Sequence, residues 1–205
     1  MTDSTTDTNH WVADNQHLAE LCEQLQSSSS LAIDTEFMRT NTYFPKLALI
    51  QLSDGEQCWL IDVLAIDHFA PLKALLEAPE RVLIFHAPGE DFEVLDHALS
   101  INPTNIFDTQ VAAGLANIGY SMGYARLVAH VFDVELGKED TRSDWMLRPL
   151  SERQKLYAAD DVLYLHRLHK ILADKLAEQQ RQNWLQEEMS GLLAIAAERK
   201  KVAAQ

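Results

Sequence analysis

A chain of 205 residues, 47% of them hydrophobic, carries enough apolar material for one packed core and too little length for several domains. Its formal charge of −14 lacks the basic footprint of most polyanion binders, and its two cysteines, Cys22 and Cys58, form no CxxC pair and no zinc-ligand spacing, which excludes a disulfide framework and fits a reducing, cytoplasmic setting. The start "MTDSTTDTNH" has neither the basic opening nor the apolar centre of a signal peptide, and no apolar run reaches membrane-spanning length, so a soluble protein with no membrane partner and a flexible start over residues 1–10 is expected.

The first predicted strand is "LAIDTEF", 31–37, followed by "LALIQLS", 47–53, and "QCWLID", 57–62. Asp54-Gly55 in the intervening "SDGEQ" signals a hairpin turn, so these three strands should be antiparallel. "FAPLKALLEAP" has helical spacing, with Leu72, Leu75 and Leu76 on one face, and "RVLIFH", 81–86, reads as a buried strand. Helices are predicted near 89–100, 108–117 and 123–132, then a single long one over 151–178, with Ser151 as its cap and Pro149 just outside. "QNWLQEEMSGLLAIAAERKKVAAQ" is a further amphipathic helix with a basic end. A mixed sheet followed by packed helices makes an α/β domain over 11–180, with a helical extension at 181–205. The acidic excess belongs to the first hundred residues, with 4 basic side chains against 17 acidic, whereas the rest has 13 against 14 and is less hostile to phosphate.

Asp34 and Glu36 spoil the first apolar run, and alternation puts both on one strand face about 6.6 Å apart. Two half-buried anions repel and lose hydration, so something positive should lie between them. "HAPGEDFEVL" crowds Glu90, Asp91 and Glu93 into the first turn of a helix after a strand. The macrodipole favours acids there, and open α/β sheets place functional groups there. In "LYAADDVLYL", Tyr157 and Asp161 lie four apart on one helical face while Leu156, Val162, Leu163 and Leu165 read as core; Asp160, about 100° around the helix, reads as solvated. The acidic helix start and the Tyr157/Asp161 pair, each taken alone, are more often structural than chemical.

Together, strand Asp-x-Glu, a later Asp after a strand and Tyr-x-x-x-Asp on a late helix have the order of the DEDDy family of 3′-to-5′ exonucleases, which the chain resembles from about residue 10 to 180. The stretches "LAIDTEFMRTNTYFPKLALIQL", "FHAPGEDFEVL", "FDTQ" and "RSDWMLRPLSERQKLYAADDVLYL" are similar to those of its ribonuclease D branch, in the same order. The resemblance implies an RNase H-like (DnaQ-like exonuclease) fold with a mixed β-sheet flanked by helices. It implies that Asp34, Glu36, Asp91 and Asp161 ligate two divalent cations, Mg2+ or Mn2+, and that Tyr157 orients a water. Oxygen-only ligands suit such hard cations and argue against zinc or copper.

The implied partner is RNA, at 3′ ends, with tRNA precursors as substrate class. Thr35, Phe37 and His86 would border the groove, Phe37 stacking on a base. Arg142, Arg148, Arg153 and Lys155 are the basic residues nearest in sequence to the Tyr157/Asp161 motif and the candidates for phosphate contacts, while Trp145 reads as a packing anchor. Glu90 stands where the family often has an aromatic, as in ribonuclease D-like sequences, and could share the outer shell of the site. That branch also carries HRDC-type helical domains after the nuclease, for which residues 181–205 leave no room. The competing functions are a nuclease confined to very short RNAs or dinucleotides, and an inactive exonuclease-like module that binds RNA or protein. A phosphatase would want Asp-x-Asp followed by Thr, which "DTEFM" lacks.

Overall fold

The computed structural model describes residues 9–39, 44–137 and 143–203. β1 (Asn9–Val12) begins inside the segment expected to be flexible, and α1 (Asn15–Gln24) follows, capped by Asp14, whose carboxylate accepts from the His17 N–H at 2.9 Å. The hairpin strands are β2 (Ser30–Met38), β3 (Lys46–Ser53) and β4 (Cys58–Ile61), antiparallel as predicted. At their second turn Gly55 takes φ +97°, and the Asp54 carboxylate accepts from the N–H groups of Glu56 and Gln57. After α2 (Ala70–Leu76) come β5 (Val82–Phe85), α3 (Gly89–Leu99), β6 (Ile106–Asp108), α4 (Thr109–Leu115) and α5 (Tyr124–Phe132). The sheet order is β1-β4-β3-β2-β5-β6, mixed because β5 and β6 run parallel to β2 and β1 runs parallel to β4.

Alternation along β2 divides the core into two layers. Leu31 and Ile33 pack with Leu18 and Leu21 of α1, Leu72 and Leu75 of α2, and Val94 and Leu95 of α3. Ala32 faces the other way, among Ala112 of α4, Leu127 and Val128 of α5, and the helices that follow. Arg81, almost wholly buried beside the first layer, donates to the carbonyls of Leu25, Gln26, Ser28 and Leu75, tying the 3-10 turn after α1 to the end of α2.

The long helix predicted over 151–178 is two, α6 (Glu152–Leu163) and α7 (Leu165–Glu178). The cause is a tertiary intrusion. The Tyr124 hydroxyl from α5 accepts from the Tyr164 N–H at 3.1 Å and donates to the Asp160 carbonyl at 2.9 Å, occupying the place of the helix's own bond between those groups. Core assignments on this stretch divide accordingly: Val162 and Leu165 are buried, whereas Leu156 and Leu163 face outward, since the buried stripe of α6 runs through Ala158, Ala159 and Val162.

The final helix, α8 (Gln182–Ala203), is no loose extension. Met189 is buried, its sulfur accepts from the Asp108 N–H, and Leu185, Leu192, Leu193 and Ala196 pack on the same core as α1 to α3. Touching β6, α3, α4 and α7, it covers a sheet edge that would otherwise present unpaired backbone. Among the described residues no helix is long and apolar enough to cross a membrane. Met189→Ala should therefore cost about 2–4 kcal/mol through the cavity it leaves, lowering Tm in a thermal melt by roughly 5–15 °C; an unchanged Tm would mean that α8 folds apart from the sheet.

Candidate active site

The period of β2 builds the site. Asp34 and Glu36 project to the face covered by α6, which crosses β2, β3 and β4 and returns Asp161 and Tyr157 to the strand. The start of α6 is fixed by a capping box in which the Ser151 hydroxyl accepts from the Gln154 N–H while Gln154 Oε1 accepts from the Ser151 N–H. Carboxylate oxygens of Asp34, Glu36 and Asp161 all lie within 4.8 Å of one another, and Tyr157 stands one helical turn from Asp161, where each shifts the other's ionisation. Thr35, pointing opposite to its neighbours, meets the fourth carboxylate from the other layer: its hydroxyl donates to Asp91 Oδ1 at 2.5 Å. The intervening residue of the Asp-x-Glu motif thus joins α3 to the strand.

Crowding and burial move every one of these groups. Burial first, then Asp91, Asp161 and Glu36, hold the Asp34 carboxyl well above the ordinary carboxylate range. Glu36 is pushed up to about 9 by burial and then by Asp161 and Asp91. Burial raises Asp161 to about 7 against the opposing hydrogen bond from Tyr157, and Asp91 to about 6 against that from Thr35. Arg39, at the end of β2, does not relieve them; it pairs with Glu90 at 3.3 Å and Glu93 at 2.6 Å on α3. That pairing is where the structure places Glu90. A hard divalent cation fits the cluster on its donor chemistry, since three oxygen ligands converge with no nitrogen or sulfur among them.

A cavity of about 250 Å3 opens on the cluster, lined by Asp34, Thr35, Glu36, His86, Tyr124, Tyr157 and Asp161. His86 is held by the Met122 carbonyl at 3.0 Å and Thr109 Oγ1 at 2.9 Å, and burial lowers its pKa. Its Nε2 must carry the proton, because a carbonyl only accepts. A second cavity of about 280 Å3 lies against Tyr124, Tyr157 and Asp161 and adds Ala125, Leu136, Gly137 and Asp160. Tyr124 lines both, yet nothing in "SMGYARL" distinguishes it in one sequence from an ordinary helix-start aromatic.

The other expected substrate contacts lie elsewhere. Phe37, partly buried, packs against the core. Arg148 is a correction: all five N–H donors of its guanidinium are engaged, two with Asp62 and three with the carbonyls of Trp145, Leu147 and Ala48, so it braces the sheet instead of reaching phosphate. Lys155 pairs with Glu152 at 2.8 Å and stands over the Trp11 ring, Arg153 is exposed on α6, and Arg142 falls outside the described residues. Trp145 is buried against Tyr157, as an anchor should be.

Residues 9–177 match a family model described as 3′-5′ exonuclease. Ribonuclease D of Pseudomonas paraeruginosa is 43% identical over 184 residues, 90% of this chain and 49% of its own length. The chain spans about half the length of the curated relatives it matches. Among solved structures, Escherichia coli RNase D superposes with a TM-score of 0.88 at 37% identity over 92% of this chain and 50% of that one. Brucella melitensis NrnC gives 0.83 at 28% identity over 98% and 97%.

Carboxyls whose folded pKa exceeds the unfolded value of about 4 make the native state bind the extra protons, so their contribution to stability is complete below that pH and is lost as pH rises. For Asp91, Asp161 and Glu36 the loss runs through about 6, 7 and 9. In chelator, Tm should fall between about pH 5 and pH 9, and millimolar Mn2+ should restore it at the alkaline end. A flat profile with no metal effect would show that the four carboxyls are not crowded in solution.

Proposed function

The chain belongs to the 3′-5′ exonuclease family, and from that membership we propose that it is a metal-dependent 3′-to-5′ exoribonuclease, releasing nucleoside 5′-monophosphates from RNA 3′ ends, with tRNA precursors as the substrate class. The observation that carries the proposal is the convergence of Asp34, Glu36 and Asp161 oxygens within 4.8 Å, beside Asp91, with Tyr157 one helical turn from Asp161. Two divalent cations, Mg2+ or Mn2+, held by Asp34, Glu36, Asp91 and Asp161, would supply the charge neutralisation and water activation that phosphodiester hydrolysis requires.

The remaining work falls to the chain. Burial, then Asp161, Glu36 and Asp34, drive Tyr157 ionisation upward, so the phenol stays protonated and orients the attacking water instead of removing its proton. The 250 Å3 cavity receives the terminal nucleotide between Thr35 and His86, whose ring is fixed by Met122 and Thr109. Two buried, unpaired cysteines support a cytoplasmic setting. A nuclease confined to very short RNAs is the alternative, favoured by one observation: the Brucella protein, whose solved forms include one bound to pGG and one with Mg2+, aligns with this chain along almost its entire length.

The test uses 5′-labelled RNAs: a dinucleotide, a chain of about twenty nucleotides and one with a tRNA-like 3′ tail, each with Mg2+, Mn2+ or chelator. A metal-dependent ladder shortening from the 3′ end is expected, and the ranking of the three separates a tRNA-end trimmer from a short-RNA nuclease. Asp34→Asn or Asp161→Asn should lower kcat about 10³-fold, the equivalent of roughly 4 kcal/mol. Tyr157→Phe should lower it about 10- to 100-fold through loss of water orientation. Wild-type turnover in Asp34→Asn overturns the proposal, and RNA bound without cleavage under any metal would leave a binding module.

A further inference from the structure

Gln51 is fully buried in the middle of β3, and neither its amide nitrogen nor its amide oxygen has a hydrogen-bond partner. Burying such groups unpaired is destabilising, so an apolar side chain of the same length would suit this position better if packing were all it had to do. Strand register explains what else is near. Gln51 is directly opposite Asp34 on β2 and opposite Leu60 on β4. Directly opposed residues share a sheet face, with Cβ atoms about 4.5–5.5 Å apart. That face carries Asp34 and Glu36 and lies beneath α6, and its other residues on the hairpin strands are the apolar Ala32, Leu49, Cys58 and Leu60 and the buried Ser53, whose Oγ already accepts from the Gly55 N–H at 3.0 Å. Asp34 is therefore the polar group that the register puts directly opposite the Gln51 amide.

We propose that Gln51 is a positioning residue for the loaded site, its amide N–H donating to the Asp34 carboxylate when that carboxylate holds a cation. The inference rests on the metal-dependent site assigned above. A ligating carboxylate keeps lone pairs that point away from the ion, and a donor placed on them fixes the carboxylate's orientation and sharpens metal affinity. Side-chain donors for Asp34 are otherwise few, because Thr35 directs its hydroxyl to Asp91 and only its backbone N–H reaches Asp34. The orphaned amide is then a cost carried by the metal-free fold and recovered on loading.

Gln51→Met keeps the length of the side chain and removes both polar atoms. Its Tm in chelator should match the wild type or exceed it by about 2–6 °C. Its Mn2+ dissociation constant, read from the electron-spin signal of the free ion during titration, should rise about 10- to 100-fold, with kcat reduced and KM for RNA unchanged. A folded Gln51→Met with wild-type Mn2+ affinity overturns the inference. Should that variant fail to fold, the side-chain amide resonances of Gln51 in 15N-labelled wild-type protein, assigned through their own backbone, decide the matter. A shift and slowed exchange on adding Mg2+ support the bond to Asp34, and unmoved resonances exclude it. A wild-type protein that takes up no Mn2+ removes the assigned function and this inference together, whereas wild-type uptake with an unaffected variant removes the inference alone.

Discussion

Mutual repulsion among four close-set carboxylates, one buried and three half-buried, is the constraint around which this molecule is arranged. Asp34, Glu36, Asp91 and Asp161 come from a strand and from helices on both faces of the sheet, and each is pushed above its ordinary pKa first by burial and then by neighbouring acids. No fold gathers such groups for its own stability. The surrounding elements must therefore be rigid enough to hold them together before any counter-ion arrives.

That rigidity comes from devices spread well beyond the site. The Ser151 capping box sets the start of α6, and the Arg148 guanidinium ties the Trp145–Leu147 segment to Asp62 and to the Ala48 carbonyl of β3. Thr35 stitches α3 to β2 through Asp91, and Arg39 repeats the link further along through Glu90 and Glu93. The acidic excess of the first hundred residues is thus not simply a solvated surface. Part of it is the carboxylate cluster, and part is consumed in the ion pairs that hold the cluster's frame.

Much of this was legible from the residues because two periods carry it. Alternation in "LAIDTEF" placed Asp34 and Glu36 on one face, and the four-residue step from Tyr157 to Asp161 placed those on another, without any knowledge of the partners. The hairpin turn at Asp54-Gly55 was equally local. What escaped was non-local or too short for a period. β1 and β6, with four and three residues, offer no alternation to detect, and α1 was hidden in a polar stretch whose mark is the Asp14 cap. Arg148 reads as a free cation until Asp62 and the Ala48 carbonyl, both distant in sequence, claim it together with two neighbouring carbonyls. Gln51 is legible only through register, since its meaning lies in the residue across the strand. Leu156 and Leu163 read as core because they are apolar, whereas the buried stripe of α6 runs through the smaller Ala158 and Ala159 and through Val162.

That interruption has a dynamic consequence. Most helical amides exchange with solvent when their own helix frays, so their protection reports local helix stability. The Tyr164 amide is held instead by a phenol from another helix, and frees itself only when α5 draws away from the junction of α6 and α7. Tyr124 also walls both cavities and stands edge-on to His86, so that separation opens the site's flank at the same moment. One backbone proton in the middle of a helical stretch is thereby a clock for breathing of the active-site wall, running independently of the amides on either side of it.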